Sequence, residues 1–433
     1  MTISSSLNAG VAGLNVNATQ LATIADNIAN SGTFGYKRAS ADFHSMVTEQ
    51  TPGTYSAGGV RATTTRFIDQ RGTLVSTNNP TDLAISGSGF LPVTTAAAVN
   101  SGSGEFPVDL VTTGSFRPDA DGILRTRTGE VLMGWPANLD GTIPNFPRDS
   151  FSALEPVRLN ANTFVSDPTT TMELSVNLPA TATDASGDGS PYTMTAEYFD
   201  NLGISQSFDI SFTPTVPGVG MSNEWTLEIQ DTASGGAVIG EYVLTFDTAP
   251  GNAGNLASVV VVSGGPFDAG TGTLALNAGG GPINMVIGAP GSPGGMTQLS
   301  DSFALSPVVS DGSPVSELTQ VEVDANGNLH AIYGSGITRI IYQIPVVDVP
   351  NVNGLISGSN QTYTVSPDSG QFFLWDAGDG PTGEVIGFAR EESTTDVAAE
   401  LTQLIETQRA YSSNAKVIQT VDEMLQETTN IKR

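Results

Sequence analysis

The sequence predicts a mainly β chain with α-helical termini: paired N- and C-terminal coiled-coil-like helices plus two β-sandwich or barrel domains, in a discontinuous multi-domain arrangement. Three observations predict it. The first proline is Pro52 and the last is Pro381, and the 46 residues after Gly387 contain neither Gly nor Pro. The ends are therefore free to be helical, while the breaker-dense middle mostly is not. At both ends apolar residues recur at alternating spacings of three and four, the helical period. Between them lie short alternating apolar runs separated by Gly, Asn and Asp, the pattern of strands joined by tight turns.

In chain order, Leu7, Val11, Leu14, Ala18, Leu21, Ala25 and Ile28 form a seam of three heptads. Asp26 is the first charged side chain and Lys37 the second, so the outer faces carry Asn, Ser, Thr and Gln where a solvent-facing helix would carry Glu/Lys pairs. The helical pattern ends in "ADNIANSGTFGYKRASADF", and Asn and Gly there suit an abrupt exit because both tolerate left-handed backbone. "TLVSTNNPTDLAIS" holds two apolar alternations around an Asn-Asn-Pro turn. "GSFRPDADGILRTRTGEVLMGW" has hairpin signals at Asp121-Gly122 and Gly129, and "VEVDANGNLHAIYG" repeats them at Asn326-Gly327. "AEYFDNLGISQSFDISF" and "EWTLEIQD" add strands in the acidic region.

The C-terminal helix opens with Ser393 and Asp396 in the shape of a capping box. Its stripe runs Val397, Leu401, Leu404, Tyr411, Ala415, Ile418 and Leu425. Seven buried aliphatic side chains contribute roughly 1.5–3 kcal/mol each, while ordering thirty residues costs about 1–2 kcal/mol apiece. Both ends are therefore expected to be disordered in the monomer and to fold on packing against copies of the chain. The alternative is an intramolecular helical clasp tying the termini together.

Composition narrows the function. Sixteen basic against forty-four acidic residues leave a net charge of −28 over 433 residues, the wrong balance for nucleic acid. No cysteine is present, which removes disulfides, thiolate metal sites and thiol nucleophiles together. No Lys or Arg occurs between Arg158 and Arg339, a stretch that carries eighteen Asp and Glu. Such a surface repels copies of itself except where apolar contacts prevail. The N-terminus has no basic residue before Lys37 and no continuous apolar run, so it reads as neither a cleaved signal nor a membrane span.

No catalytic, cofactor or metal constellation stands out. His44 and His330 are far apart and read as structural. Asp119, Asp121 and Gly122, like Asp324, Asn326 and Gly327, resemble the start of a calcium loop but lack its full pattern, and hairpin turns explain them more simply. Gly87 and Gly89 lack the third glycine of a dinucleotide fingerprint.

"ADNIANSGTFGYKRASADF" resembles the segment after the first helix in the axial rod/hook protein family of the bacterial flagellum. "AELTQLIETQRAYSSNAKVIQTVDEMLQETTNIKR" is similar to that family's C-terminal helix, through Gln408-Arg409-Ala410-Tyr411 and Asn414-Ala415-Lys416. "STNNPTDLAISGSGF" and "GSFRPDADGILRTRTGEVLMGW" resemble its shared β-domain. Within the family the hook branch fits best, on "AEYFDNLGISQSFDISF" followed by "NEWTLEI", on "DANGNLHAIYGSGITRIIYQIPVVDVPNVNGL" and on length. "GFLPV" departs from the usual double aromatic after Gly-Ser-Gly, and the extent of the basic-free region is unusual.

The resemblance implies a structural subunit, not an enzyme, without cofactor or metal. It would be exported through the flagellar type III apparatus without a cleaved signal peptide and would assemble under a hook cap protein into an extracellular, flexible curved tube. That homopolymer would carry torque from the rod protein below to the hook-filament junction protein above, with no nucleic acid and no membrane insertion. Residues 1–32 and 393–433 would form the inner tube, with Leu7, Val11, Leu14, Leu21, Ile28, Val397, Leu401, Leu404, Tyr411, Ile418 and Leu425 as its interface. Residues 33–72 would connect, 73–149 and 297–392 would form an inner β-domain, and 150–296 an outer acidic one. Asn27, Asn30, Gly32, Gly35, Tyr36 and Lys37 would make the helix exit. The alternatives are a distal rod protein and, from another class, a secreted β-rich adhesin or carbohydrate-active enzyme.

Overall fold

Strands take 40% of the chain and helix 18%, so the structure is mainly β with helical ends. This computed structural model describes residues 3–46, 57–101, 106–138, 140–159, 164–300 and 302–431. The chain divides into two compact units. One comprises Met1–Ala161, Gln320–Ile332 and Thr338–Arg433, the other Asn162–Thr319 and Tyr333–Ile337.

In the first unit the strand Glu130–Pro136 is central. It is buried along nearly its whole length and pairs antiparallel with Leu91–Thr95 and, further along, with Thr338–Gln343. Phe90, Met133, Trp135, Val347, Tyr363 and Leu374 fill the core beside it. Asp82–Ser86 lies between Glu384–Gly387 and Thr113–Ser115, and Leu74–Ser76 pairs with Ala389–Glu391. The chain therefore re-enters this unit to complete sheets begun some 300 residues earlier.

The three glycine turn signals resolve as turns, that at Gly129 with φ +104° and the Thr126 amide donating to the Glu130 carbonyl across it. Arg117–Pro118 and Leu124–Arg125 close around Gly122, whose φ is +77°, and Asn328–Tyr333 follows Gly327 at φ +79°. The Asp119 carboxylate accepts from the amides of Asp121 and Ile123, and that of Asp324 from Asn326 and Asn328. These aspartates hold turns together.

The second unit is built on an antiparallel meander of Tyr192–Phe199, Ser205–Pro214, Glu224–Asp231, Ala237–Phe246 and Leu256–Ser263. Alternate residues face in, so Tyr198, Phe208, Phe212, Trp225 and Tyr242 are fully buried, as period-two patterning requires. A second sheet, in which Thr171–Glu173 pairs parallel to Gly281–Val286, adds Met172, Leu274 and Met285 to the same core.

The termini correct two expectations. The N-terminal helix, Ile3–Ala29, and the C-terminal helix, Val397–Ile431, are both formed and packed together within one chain. The intramolecular clasp is present, where disorder in the monomer was expected, because glycines let the two backbones approach closely. The capping box is also absent: Asp396 itself caps the helix, accepting from the amides of Ala398 and Ala399 at 2.9 and 3.2 Å. Ser393 instead accepts from Thr395 in the turn before it.

Candidate assembly site at the terminal helices

The two helices run antiparallel, with Gly10 beside Ile418, Gly13 against Asn414 and Asn27 bonded to Glu400. A β-carbon at Gly13 would sit 2.8 Å from the Asn414 amide, and one at Gly10 would sit 3.1 Å from Ile418. The close approach therefore depends on both glycines. The buried face of the N-terminal helix is Ser5, Val16, Asn17, Ile24 and Asn27. On the C-terminal helix it is Glu400, Thr407 and Val421, with Asn414 half-buried between them. Those four stand seven residues apart, one heptad position repeated.

This in-chain seam is mostly small and polar, and it differs from the apolar stripes of the sequence. Leu7, Leu14, Leu21 and Ile28 are half-buried, while Val11 is 44% exposed. Leu404 and Ile418 are half-buried. Val397, Leu401, Tyr411 and Leu425 are 39–46% exposed, and Ile405, Val417 and Met424 lie open as well.

The helix exit is a hydrogen-bonded knot. The Asn27 side chain grips Ala39 from both sides, accepting from its amide at 2.9 Å and donating to its carbonyl at 2.7 Å. It also donates to Glu400 Oε1 at 3.0 Å and accepts from the Tyr36 hydroxyl. Asn30 donates back to the Asp26 carbonyl and carboxylate, both at 2.9 Å, adding to the bond that its own amide gives the same carbonyl. Neither Asn is left-handed. That geometry falls to Gly35 alone within the motif, at φ +71°, with Thr113 3.0 Å from where a β-carbon would be. Gly32 has ordinary backbone and open space around it.

Burial raises the Tyr36 pKa to about 12, helped by its bond to Asp26. Lys37 is fully buried, and its Nζ donates to Glu391 Oε1 and to the Gln70 carbonyl, both at 2.6 Å. Burial pushes the Lys37 pKa down, against the pull of Glu391. The same Glu391 oxygen accepts from the Gly72 amide at 2.7 Å. Gly35 donates to the Glu391 carbonyl, Thr394 to the Tyr36 carbonyl, and the Arg38 amide to Thr394 Oγ1. The exit of one helix and the approach to the other are thus stitched residue by residue.

Sequence reasoning missed Glu391, Glu400, Asn17 and Asn414. Their signal is a carboxylate or amide on the buried face, which becomes visible only once the other helix is known to lie against it.

Known proteins match at both levels. The family described as "Flagella basal body rod protein" matches residues 7–37, and "Flagellar basal body rod FlgEFG protein C-terminal" matches 387–431. These spans hold the knot and most of the helix pair. The flagellar hook protein FlgE of Brucella suis is 32% identical over the whole length of both chains, and that of Rhizobium meliloti 33%, also over both whole lengths. The chain belongs to the flagellar hook protein family. The hook protein of Salmonella typhimurium is 27% identical across 99% of this chain and 100% of its own. A crystal structure of the Helicobacter pylori flagellar hook protein FlgE2 is 13% identical, covering 72% of this chain and 98% of that one at a TM-score of 0.44. The hook proteins match end to end, so the distal-rod and adhesin readings are not favoured.

Proposed function

We infer that the chain is a structural subunit of the flagellar hook, self-assembling through its terminal helices into a tube that transmits torque for motility. The observation that carries the reading is the mismatch between seam and stripe. The helices meet in the chain where Gly10 faces Ile418 and Gly13 faces Asn414, and leave Val11, Leu401, Ile405, Tyr411, Val417 and Leu425 open to water. A long helix whose apolar side chains face solvent marks an interaction surface, and copies of the same pair are its natural cover. Head-to-tail contacts that do not close on themselves generate helical polymers.

Torque has to pass from the tube to the β-domains, and the knot around Asn27, Tyr36, Lys37 and Glu391 suits that task. Its bonds join helix end, strand and buried ion pair without a flexible linker. The family supports a place in the flagellum. The extracellular hook position, the uncleaved export route, the rod and junction neighbours, the cap and the three-layer division of the chain belong to this reading. So does an outer acidic surface whose contacts slide as the bent tube turns.

The test is assembly of the purified chain, followed by light scattering and electron microscopy. Wild type is expected to form curved tubes above a critical concentration, and Leu401→Glu to remain monomeric with its melting temperature intact. A Leu401→Glu chain that assembles like wild type removes the helices from the interface.

A further inference from the structure

A groove of about 710 Å³ opens in the first unit, walled by Arg117, Arg125, Arg127 and Arg390. The chain has sixteen basic residues in all and a net charge of −28, so a quarter of its cations line one groove. Two carboxylates share the wall, and both are already engaged. Asp119 pairs with Arg125 at 3.4 Å and holds its own turn. Glu130 is buried and accepts from Thr126, Thr128 and, at 2.8 Å, Asn360.

The arginines are not used up in the same way. Arg117 meets Asp82 at 3.2 Å yet keeps 54% of its side chain in solvent, and Arg125 keeps 46%. Arg390 lies over the Phe34 ring at 3.9 Å, and its buried Nε has no acceptor among the described residues. Arg127 is exposed and has no ion pair among the described residues. The groove therefore offers guanidinium donors in surplus, in a space with room for several side chains.

The complementary chemistry lies in the same sequence. Residues 162–319 hold Asp and Glu but no Lys or Arg, so their charge has no basic partner among themselves. We propose that the arginine groove receives carboxylates from residues 162–319 of a neighbouring copy, an ionic contact between subunits that the apolar helix contacts do not supply. Planar guanidinium forks suit carboxylates, and a charge match sets register and rejects wrong pairings more than it adds affinity. The groove wall includes Gly32–Phe34 of the helix exit, so an occupant would touch the junction between helix and β-domain. The inference rests on the hook reading.

The experiment uses the full chain carrying Arg127→Lys, polymerised as an equal mixture of ¹⁴N- and ¹⁵N-labelled copies and treated with a carbodiimide. Mixed-isotope peptides joining residue 127 to an Asp or Glu within 162–319 are expected. Joining to a carboxylate elsewhere, joining within one copy, or no joined peptide overturns the proposal. Arg127→Glu should raise the concentration needed for assembly about fivefold, with the monomer's melting unchanged. Assembly equal to wild type overturns the groove while leaving the hook reading standing. A wild-type chain that never polymerises removes the hook reading, and this proposal with it.

Discussion

Gly35 and Gly32 sit three residues apart in the same motif, and the structure separates them. Gly35 is left-handed and packed against Thr113, while Gly32 is neither strained nor crowded. Gly35→Ala should cost about 1–2 kcal/mol, whereas Gly32→Ala should change little, as read by denaturant unfolding. The Lys37–Glu391 pair is the other residue-scale test. Removing one partner leaves a buried charge and should cost about 3–5 kcal/mol, while replacing both with apolar residues should cost less than the sum. In the second unit, Asp231 is fully buried and accepts from Tyr198, Ser234, Ala233 and Gly279. Burial works against its charge, but those bonds hold its pKa below the usual 3.8. Its contribution is therefore complete above the unfolded value and is lost as pH falls through the depressed folded one. Asp231→Asn should lose about 1–3 kcal/mol at neutral pH, and the gap to wild type should narrow in acid-unfolding curves.

At the scale of elements, the terminal helices present two different faces. Val421 is buried in the seam, and Leu401 is open. Val421→Ala should lower helix stability in the monomer, measured by hydrogen exchange, whereas Leu401→Glu should spare the monomer and remove assembly. The existence of both helices was legible in the sequence, because prolines are absent there and apolar residues recur in threes and fours, interrupted in the C-terminal stripe at Gln408 and Asp422. Their partnership was not. The in-chain seam is written in Gly10, Gly13, Asn17, Thr407 and Asn414, residue types that carry no hydrophobic period. The apolar stripe that does carry one is only half covered by the seam, at Leu7, Leu14, Leu21, Ile28, Leu404 and Ile418, and stays exposed at Val11, Val397, Leu401, Tyr411 and Leu425. Aliphatic burial alone does not offset the ordering cost; close backbone packing at Gly10 and Gly13 and the Asn27–Glu400 bond add to that burial. Hairpins at Gly122, Gly129 and Gly327 were legible because a turn is a local event. The returns of Ala389–Glu391 onto Leu74–Ser76 and of Glu384–Gly387 onto Asp82–Ser86 join distant segments, and no local pattern announces them.

At the scale of the whole molecule three properties stand together: helices that pair through a polar seam, a hydrogen-bonded knot that ties them to the β-structure, and a span between Arg158 and Arg339 without cations. The first leaves apolar surface for neighbours, the second suits the proposed passage of torque, and the third limits adhesion between copies to places where a basic or apolar partner is offered. Asn27, Gly35, Tyr36 and Lys37 were singled out through resemblance to flagellar axial proteins, while Gly32, from the same motif, has no strained or crowded role. The arginine groove was not, since Arg117, Arg125, Arg127 and Arg390 come together only through folding.

The most direct measurement is a cryo-electron microscopy map of tubes grown from the purified chain. The account predicts paired terminal helices lining the centre, with Val11, Leu401, Ile405 and Leu425 buried between copies. Tubes in which those side chains face solvent, or contacts made only by the β-units, would contradict it.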